Sequence, residues 1–298
     1  MRLPGLAFIQ FQPSLFLSLK VWTLRLHLRC TAGSERASAT DSHMTLSQLR
    51  SDGFFVLEDC LSAAECQRWC ERVSNSLENS NAQGRLQTTI ADKYVTYGSR
   101  NFLTICPEVV QLLSYPAIAN SCREILGDDY GVVRGLYFDK PPGLSWSLPW
   151  HQDLTIAVEE QRLSDSSDLT IEGFTKPTVK AGICHVEAPT ALLERMLTVR
   201  IHLDAMGPRN GPIVVRRSSH LAGKLLHSQV PAADEITEVH CPAGSAMLMR
   251  PMLSHSSIAS LPGLSLHRRT IHLELSSVEN LPYGFRWHTY LPIRHGQP

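Results

Sequence analysis

A histidine and an aspartate, His151 and Asp153, stand two residues apart in the sequence PWHQDLTIAV, which otherwise has the composition of a buried strand. Because successive side chains of a strand point to opposite faces, both would project to one side and Gln152 to the other. An imidazole and a carboxylate so placed can hold two neighbouring positions of a divalent metal ion, and a histidine from another strand would complete a face of three ligands. The spacing therefore predicts a metal centre with open coordination positions.

The third ligand must come from elsewhere, and the later histidines are candidates: His185, His202, His220, His240, His255, His267 and His272. His255 is the best placed, because the apolar sequence GSAMLMRPMLSH would carry it to the end of a strand, where the small residues that follow leave it accessible. A structural hydrogen bond between His151 and Asp153 is the alternative, since 13 histidines make chance pairs frequent.

A second chemical feature is an arginine in the sequence HRRTIHLEL. A strand here would divide its side chains between two faces, with Arg268, Thr270, His272 and Glu274 on one and Ile271, Leu273 and Leu275 on the other. A buried arginine needs an anion. Its guanidinium binds a carboxylate through two parallel hydrogen bonds, and the Thr270 hydroxyl could add a third. The alternative is that Arg268 pairs with a core acid, Glu274 or Asp204.

The elements that must position these residues change in type along the chain. Helices are predicted first, over residues 45–53, from Ser62 with Glu65 completing a capping box, and over 108–126. Short β-rich segments separated by Pro, Gly, Ser and Asn follow at 131–139, 150–158, 195–203, 211–216, 236–240, 245–250 and 267–276. This order predicts a mainly β protein, a sandwich or barrel, with flanking α-helices.

The composition restricts the classes of partner. Lys+Arg and Asp+Glu are equal at 28 each, so no overall charge favours nucleic acid or an anionic membrane surface, and neither is expected as a partner. The 8 cysteines are scattered without a CxxC pair, which indicates reduced, structural thiols. Nothing in the sequence indicates an oligomeric state.

Residues 1–43 differ from the rest of the chain, because they contain no acid before Glu35, carry interspersed Arg and Lys, and end rich in Ser and Ala. This composition is typical of a mitochondrial transit peptide. Lys20 and Arg25 interrupt the apolar run that a secretory signal or a membrane span would need. The alternative is a true start at Met44. The folded domain is predicted over 44–298, in the cytoplasm, or in mitochondria if the segment is a transit peptide.

The motifs together resemble a known family. The HxD at 151–153, the histidine at 255 and the Arg-x-Thr at 268–270 stand with two flanking sequences, DGFFVLEDCLSAAEC and HLDAMGPRNGPIVVRRSSH. This set is similar to the phytanoyl-CoA dioxygenase family of iron(II)- and 2-oxoglutarate-dependent oxygenases, over residues 46–288. RSSH replaces the family's familiar PGSH, a departure that concerns the substrate rather than the metal.

The resemblance implies a double-stranded β-helix, the jelly-roll of cupin-like proteins, that binds Fe(II) through His151, Asp153 and His255. It also implies 2-oxoglutarate as co-substrate, with Arg268 and Thr270 at its far carboxylate. Dioxygen would be the oxidant and ascorbate a supporting reductant.

The implied reaction hydroxylates a small-molecule or lipid-like substrate and releases succinate and carbon dioxide. Asp153 favours hydroxylation, because halogenating enzymes of this class leave that position without a carboxylate. Arg200 and His202 share a face with Thr198 on the strand predicted at 195–203, and they are further candidates for contact with the co-substrate or the substrate.

Two functions of other classes stay open. A non-catalytic relative would keep the barrel as a binding protein, although all three ligand positions are filled here. A cupin-type metal hydrolase or isomerase would usually use more histidines, and it would leave Arg268 and Thr270 without a role.

Overall fold

The computed structural model describes residues 39–80, 84–90, 93–159, 174, 177–225 and 235–293. Most of the predicted N-terminal extension therefore lies outside the described residues. The first helix begins at Ala39, and the domain boundary at Met44 stays a prediction. In the described part of the chain, no helix has the length and apolar character needed to cross a membrane.

The helices of the described residues are α1 (Ala39–Asp52), α2 (Ala63–Asn79), α3 (Phe102–Ile105), α4 (Pro116–Leu126) and α5 (Thr190–Leu193), with 3-10 segments at Pro107–Ser114, Ser219–Ala222 and Pro282–Gly284. The capping box is confirmed: the Ser62 N–H donates to Glu65 Oε2 at 2.7 Å, and the Glu65 N–H donates to Ser62 Oγ at 3.3 Å. The helix predicted over 108–126 is interrupted at Tyr115, which is extended. The cause is Pro116, because the residue before a proline is sterically excluded from the helical region.

The described strands are β1 (Phe54–Leu57), β2 (Arg85–Ile90), β3 (Lys93–Ser99), β4 (Tyr130–Phe138), β5 (Leu148–His151), β6 (Thr155–Val158), β7 (Thr178–Lys180), β8 (Ile183–Glu187), β9 (Met196–His202), β10 (Ile213–Arg216), β11 (Ile236–Val239), β12 (Ala246–Met249), β13 (His255–Ser257), β14 (Thr270–Ser276) and β15 (Leu291–Ile293). They form three sheets. The eight-stranded sheet has the order β1-β12-β9-β14-β4-β3-β2, with β15 also pairing with β4, and the smaller sheets have the orders β11-β10-β13-β5 and β6-β8-β7.

One predicted strand, 150–158, is wrong as a single element. The structure divides it, because β5 ends before the aspartate and β6 begins after it in another sheet. The Gln152 side chain stabilises the segment in which the chain passes from one sheet to the other. Its amide donates to the carbonyls of Gly223 at 2.8 Å and Met252 at 2.6 Å, and its oxygen accepts from the Leu225 N–H at 2.8 Å.

The two faces of the large sheet serve different purposes. Its outer face packs against the helices in one apolar core, to which β14 contributes Ile271, Leu273 and Leu275. Its inner face packs in part against the four-stranded sheet, through residues such as Met247, Met249, Ile213 and Val215. The alternation predicted for β14 is confirmed, and so is the predicted fold class: a mainly β jelly-roll, the double-stranded β-helix, with flanking helices.

Candidate active site

His151, Asp153 and His255 meet at one point of the cavity between the sheets. His151 ends β5 and pairs in register with His255, which begins β13 after a turn, rather than ending β12 as predicted. The His151 Nε2–Asp153 Oδ1 distance is 3.9 Å, and the His255 Nε2–Asp153 Oδ2 distance is 3.8 Å. Ligand atoms on one face of an ion, each at about 2.1 Å from it, lie about 3 Å apart, so the triad atoms stand within about 1 Å of the separations in a metal site.

The backbone fixes the tautomer of both imidazoles. His151 Nδ1 lies 2.8 Å from the Pro149 carbonyl oxygen, and His255 Nδ1 lies 2.9 Å from the Leu253 carbonyl oxygen. A carbonyl oxygen can only accept, so each Nδ1 carries the proton. Each Nε2 therefore keeps its lone pair directed toward the aspartate, as a metal-binding histidine requires.

The charge states of the triad also suit a metal. Burial, and then the His151 ring, lowers the pKa of His255 to about 4, so this imidazole is neutral. Burial alone would raise the pKa of Asp153, but the neighbouring histidines and Arg200 outweigh it and lower that pKa. Asp153 Oδ2 is buried and has no hydrogen-bond partner in the described structure. A neutral imidazole and an ionised carboxylate with a free oxygen are donors that iron(II) accepts.

Three strands of the large sheet direct their inner side chains into the cavity in parallel rows. The pairing of β4, β14 and β9 gives a first row of Arg134, Glu274 and Thr198, a middle row of Leu136, His272 and Arg200, and a third row of Phe138, Thr270 and His202. His272 Nε2 lies 4.0 Å from Asp153 Oδ2, so the middle row faces the triad. Successive rows are about 6.6 Å apart, because a strand rises about 3.3 Å per residue.

Arg268 lies beyond the third row, at one end of the cavity, and is 1% exposed. Its Nη1 donates to the Gly211 carbonyl at 2.6 Å, whereas its Nε has no hydrogen-bond partner among the described residues. The Thr270 hydroxyl and both ring nitrogens of His202 are also buried without a partner there. Of these residues, Arg268 lines the cavity. Buried polar groups without partners are costly, so this group is suited to bind the polar atoms of a ligand.

The core acids proposed as structural partners for Arg268 are engaged elsewhere. Asp204 accepts three hydrogen bonds from the neighbouring Arg269, two from its guanidinium at 2.7 and 2.8 Å and one from its backbone N–H at 2.8 Å. Glu274 contacts Arg134 at 3.3 Å. No carboxylate of the described chain forms an ion pair with Arg268, and burial, followed by the charge of Arg200, lowers its pKa to about 9. Arg268 is therefore a buried cation without an ion-pair partner in the described chain, a position suited to an anionic ligand.

Arg200 lies in the middle row, beside the triad. It is 6% exposed, its Nη1 donates to His272 Nδ1 at 3.3 Å, and its Nε has no partner in the part of the protein that is described. The fold thus brings Arg200 into the same cavity as Arg268. Arg200 lies beside the triad, whereas Arg268 lies at the end of the cavity beyond the third row.

Sequence comparison decides the family. The profile of the phytanoyl-CoA dioxygenase (PhyH) family matches residues 49–261, which is more than half of the chain and contains the whole triad. The chain belongs to the phytanoyl-CoA dioxygenase family. No curated protein matches the full sequence significantly.

Solved structures share the fold of this phytanoyl-CoA dioxygenase family member at low identity. SnoN, a non-heme α-ketoglutarate-dependent epimerase of nogalamycin biosynthesis, aligns with a TM-score of 0.58 and 15% identity over 80% of this chain and 82% of its own. ThoJ, a non-heme monooxygenase, gives 0.58 and 17% over 84% of each chain. EctD from S. alaskensis, solved with 2-oxoglutarate and 5-hydroxyectoine, gives 0.56 and 18% over 82% and 77%.

In this phytanoyl-CoA dioxygenase family member, the triad and Arg268 line one cavity of about 670 Å³. Its apolar and aromatic walls include Tyr97, Phe138 and Trp146. The ring centroids of Trp146 lie 6.4 Å from Tyr97 and 6.1 Å from Phe138. The volume is that of a small-molecule site.

Lys140 is a buried residue next to the site, and sequence reasoning missed its position. It is 1% exposed, and its Nζ donates to Ser257 Oγ at 2.8 Å and to the Ile258 carbonyl. Burial, and then Arg268 and Arg200, lowers its pKa to about 6. Through these hydrogen bonds, Lys140 stabilises the end of β13 next to Arg268. A lysine in KPPG carries no sequence signal that separates this buried position from a solvated one.

Proposed function

We propose that this protein is an iron(II)- and 2-oxoglutarate-dependent dioxygenase that hydroxylates a small molecule and releases succinate and carbon dioxide. One observation carries the proposal: a three-ligand triad and a buried Arg268 without an acidic partner in the described chain share one cavity. A five-carbon dicarboxylate can bind a metal through its keto-acid end and a guanidinium through the other, so 2-oxoglutarate matches both features.

The residues take separate roles in this proposal. His151, Asp153 and His255 would hold iron(II) and leave three positions open. Arg268 and the Thr270 hydroxyl would bind the far carboxylate of 2-oxoglutarate, and Arg200 would contact its metal-bound end.

When bound, iron with 2-oxoglutarate and dioxygen supplies the oxidant that removes hydrogen from a C–H bond, and ascorbate keeps the iron reduced. The protein positions the substrate and excludes water. The presence of Asp153 supports hydroxylation rather than halogenation. The formal net charge of zero supports a small-molecule substrate rather than nucleic acid.

Iron(II) and 2-oxoglutarate together are expected to raise the melting temperature more than the sum of their separate effects, because the metal completes the binding site of the keto acid. The measurement is thermal unfolding without oxygen, with each ligand alone and with both. With oxygen and ascorbate, succinate release should then require iron and 2-oxoglutarate together.

The rival functions predict other results. A non-catalytic binding protein would be stabilised by the pair of ligands but would release no succinate in the presence of any substrate. A metal hydrolase or isomerase would be stabilised by the metal alone and would not respond to 2-oxoglutarate. Either pattern would contradict the proposed function.

We further propose that residues 1–43 are either a mitochondrial transit peptide or untranslated, and that the enzyme acts in mitochondria or in the cytoplasm accordingly. A chain that begins at Met44 is expected to melt and turn over like the full chain, because it keeps Leu49, which is fully buried in the core. A chain that begins at Gly53 is the control and should melt markedly lower, since losing a buried leucine costs about 2–5 kcal/mol. Insoluble or inactive protein from Met44 would show that the boundary is wrong.

A further inference from the structure

The end of the cavity opposite Arg268, on the other side of the triad, is cationic. The first row of the large sheet presents Arg134 there, and Lys180, the last residue of β7, lines the same wall. Arg100 follows β3 and contributes an exposed guanidinium to the lining. The fold therefore gathers three cations from three separate parts of the chain at one end of the site.

The described residues neutralise these cations only in part. Arg134 contacts Glu274 at 3.3 Å, and Lys180 donates to the neutral Thr155 hydroxyl at 3.0 Å. Burial raises the pKa of Glu274 to about 7, so this acid carries only part of a negative charge near neutral pH. Burial, followed by Arg134 and Arg100, lowers the pKa of Lys180, as expected for a cation among cations.

The other described groups near these cations, Glu187 and His185, do not supply a free anion. Glu187 lines the cavity, but its Oε1 accepts from Lys224 Nζ at 2.7 Å. His185 is 2% exposed, and its Nε2 has no hydrogen-bond partner among the described residues. Burial, and then Arg134 and Lys180, lowers its pKa to about 4, so it is neutral. Among the described residues, this end of the cavity therefore carries more positive than negative charge, which suits an anionic ligand.

We propose that this end of the cavity binds a carboxylate of the organic substrate, through Arg134 and Lys180. The inference rests on the proposed function, because it requires the same cavity to hold iron(II) and 2-oxoglutarate. The carboxylate would lie near the first row and the far carboxylate of 2-oxoglutarate near the third. The two carboxylates would be separated by two row spacings, about 13 Å, and the middle row, which faces the triad, lies between them.

The remaining walls define the rest of the substrate. Leu136 lies in the middle row, and Phe138, Trp146 and Tyr97 form the aromatic side of the cavity. Apolar walls exclude charge and favour an apolar or aromatic body. The substrate class is therefore a small carboxylic acid with such a body. A monoanion, rather than a phosphate dianion, fits two half-buried cations that already share one partly charged acid.

The test measures binding without turnover. Protein loaded with iron(II) and saturating 2-oxoglutarate, under anaerobic conditions, is titrated calorimetrically with phenylacetate, 4-phenylbutyrate and octanoate, and with their neutral primary amides. Phenylphosphonate supplies the dianionic comparison. At least one acid is expected to bind about tenfold or more tightly than its amide, because a charged contact in a partly buried site has that effect.

Variants then assign the binding to these residues. Lys180→Met and Arg134→Met should each weaken acid binding about tenfold or more. Both should leave 2-oxoglutarate binding, titrated without acid, unchanged. Arg216→Met is the matched control, because Arg216 pairs with Glu235 and does not line this cavity. It should leave both affinities as they are.

Several results would overturn the inference: no binding by any of the acids, equal binding of acids and amides, tighter binding of phenylphosphonate, or full acid affinity in Lys180→Met. Arg134→Met leaves Glu274 buried without its partner and can destabilise the fold. Lys180→Met removes only the hydrogen bond to the Thr155 hydroxyl, so this variant is expected to fold and its acid affinity can decide the test. Failure of 2-oxoglutarate to bind the unsubstituted protein would contradict the proposed function instead, and so separates the two failures.

Discussion

Replacement of Arg268 with alanine is expected to raise the 2-oxoglutarate concentration for half-maximal succinate release about 30-fold or more. Truncating one partner of a buried, hydrogen-bonded charge pair costs at least about 2 kcal/mol, and each 1.4 kcal/mol is a factor of ten. The measurement is the co-substrate dependence of succinate release under saturating iron. Arg268→Lys keeps the charge but loses the two-pronged geometry, so it should recover only part of the loss.

The adjacent arginine supplies the control. The guanidinium of Arg269, which directly precedes β14, donates two hydrogen bonds to Asp204. Arg269→Ala should therefore lower the melting temperature but leave the 2-oxoglutarate requirement almost unchanged. Arg268→Met should have the opposite effects and raise the 2-oxoglutarate requirement. It should not lower the melting temperature of the ligand-free protein, because it removes a buried charge that has no acidic partner in the described chain. If Arg269→Ala proves the damaging change, the assignment of the co-substrate site is wrong.

The second large effect concerns the triad. His151→Ala, Asp153→Ala and His255→Ala should each abolish iron-dependent succinate release and lower iron affinity by more than about 100-fold, since loss of an outer partner of a metal ligand alone costs 10–100-fold. Iron(II) titration without oxygen measures the affinity, and circular dichroism checks the fold. His240→Ala is the control, because His240 is exposed and pairs with Glu238. Unchanged iron affinity in all three variants would refute the metal site.

Asp153→Gly tests the role of the carboxylate more sharply. It removes one ligand and opens a metal position that chloride can occupy. We expect hydroxylation to be lost, and residual chlorination of a substrate in the presence of chloride would agree with the same site. Full hydroxylation by this variant would mean that Asp153 is not a ligand.

Much of the site could be predicted from strand periodicity. A period of two places Arg268 in phase with Thr270 and His272, and the structure puts Ile271 on the opposite, core-facing side. Periodicity could not reveal that the chain leaves its sheet at Gln152, because the hydrogen bonds that hold this crossing come from residues far along the chain. The two ligands of the HxD motif therefore converge for a reason other than simple alternation.

The sequence offered Lys180 as a possible substrate contact, but it could not predict the cationic cluster at this end of the cavity. Arg100, Arg134 and Lys180 are isolated residues in three unrelated segments, and each would be taken for a solvated charge by itself. Only the register of β14 with β4 and the position of β7 bring them to one wall. Charge clusters built by topology leave no local signature in a single sequence.

The hydrogen bonds from the two triad imidazoles to the Pro149 and Leu253 carbonyls have an evolutionary consequence. A backbone carbonyl is present whichever side chain a residue carries, so no single substitution outside the triad can delete the acceptor that aims either ring. The orientation of the two imidazoles is therefore retained as long as the backbone keeps its conformation. Cavity walls can then diverge toward new substrates while the centre that performs the chemistry stays aligned.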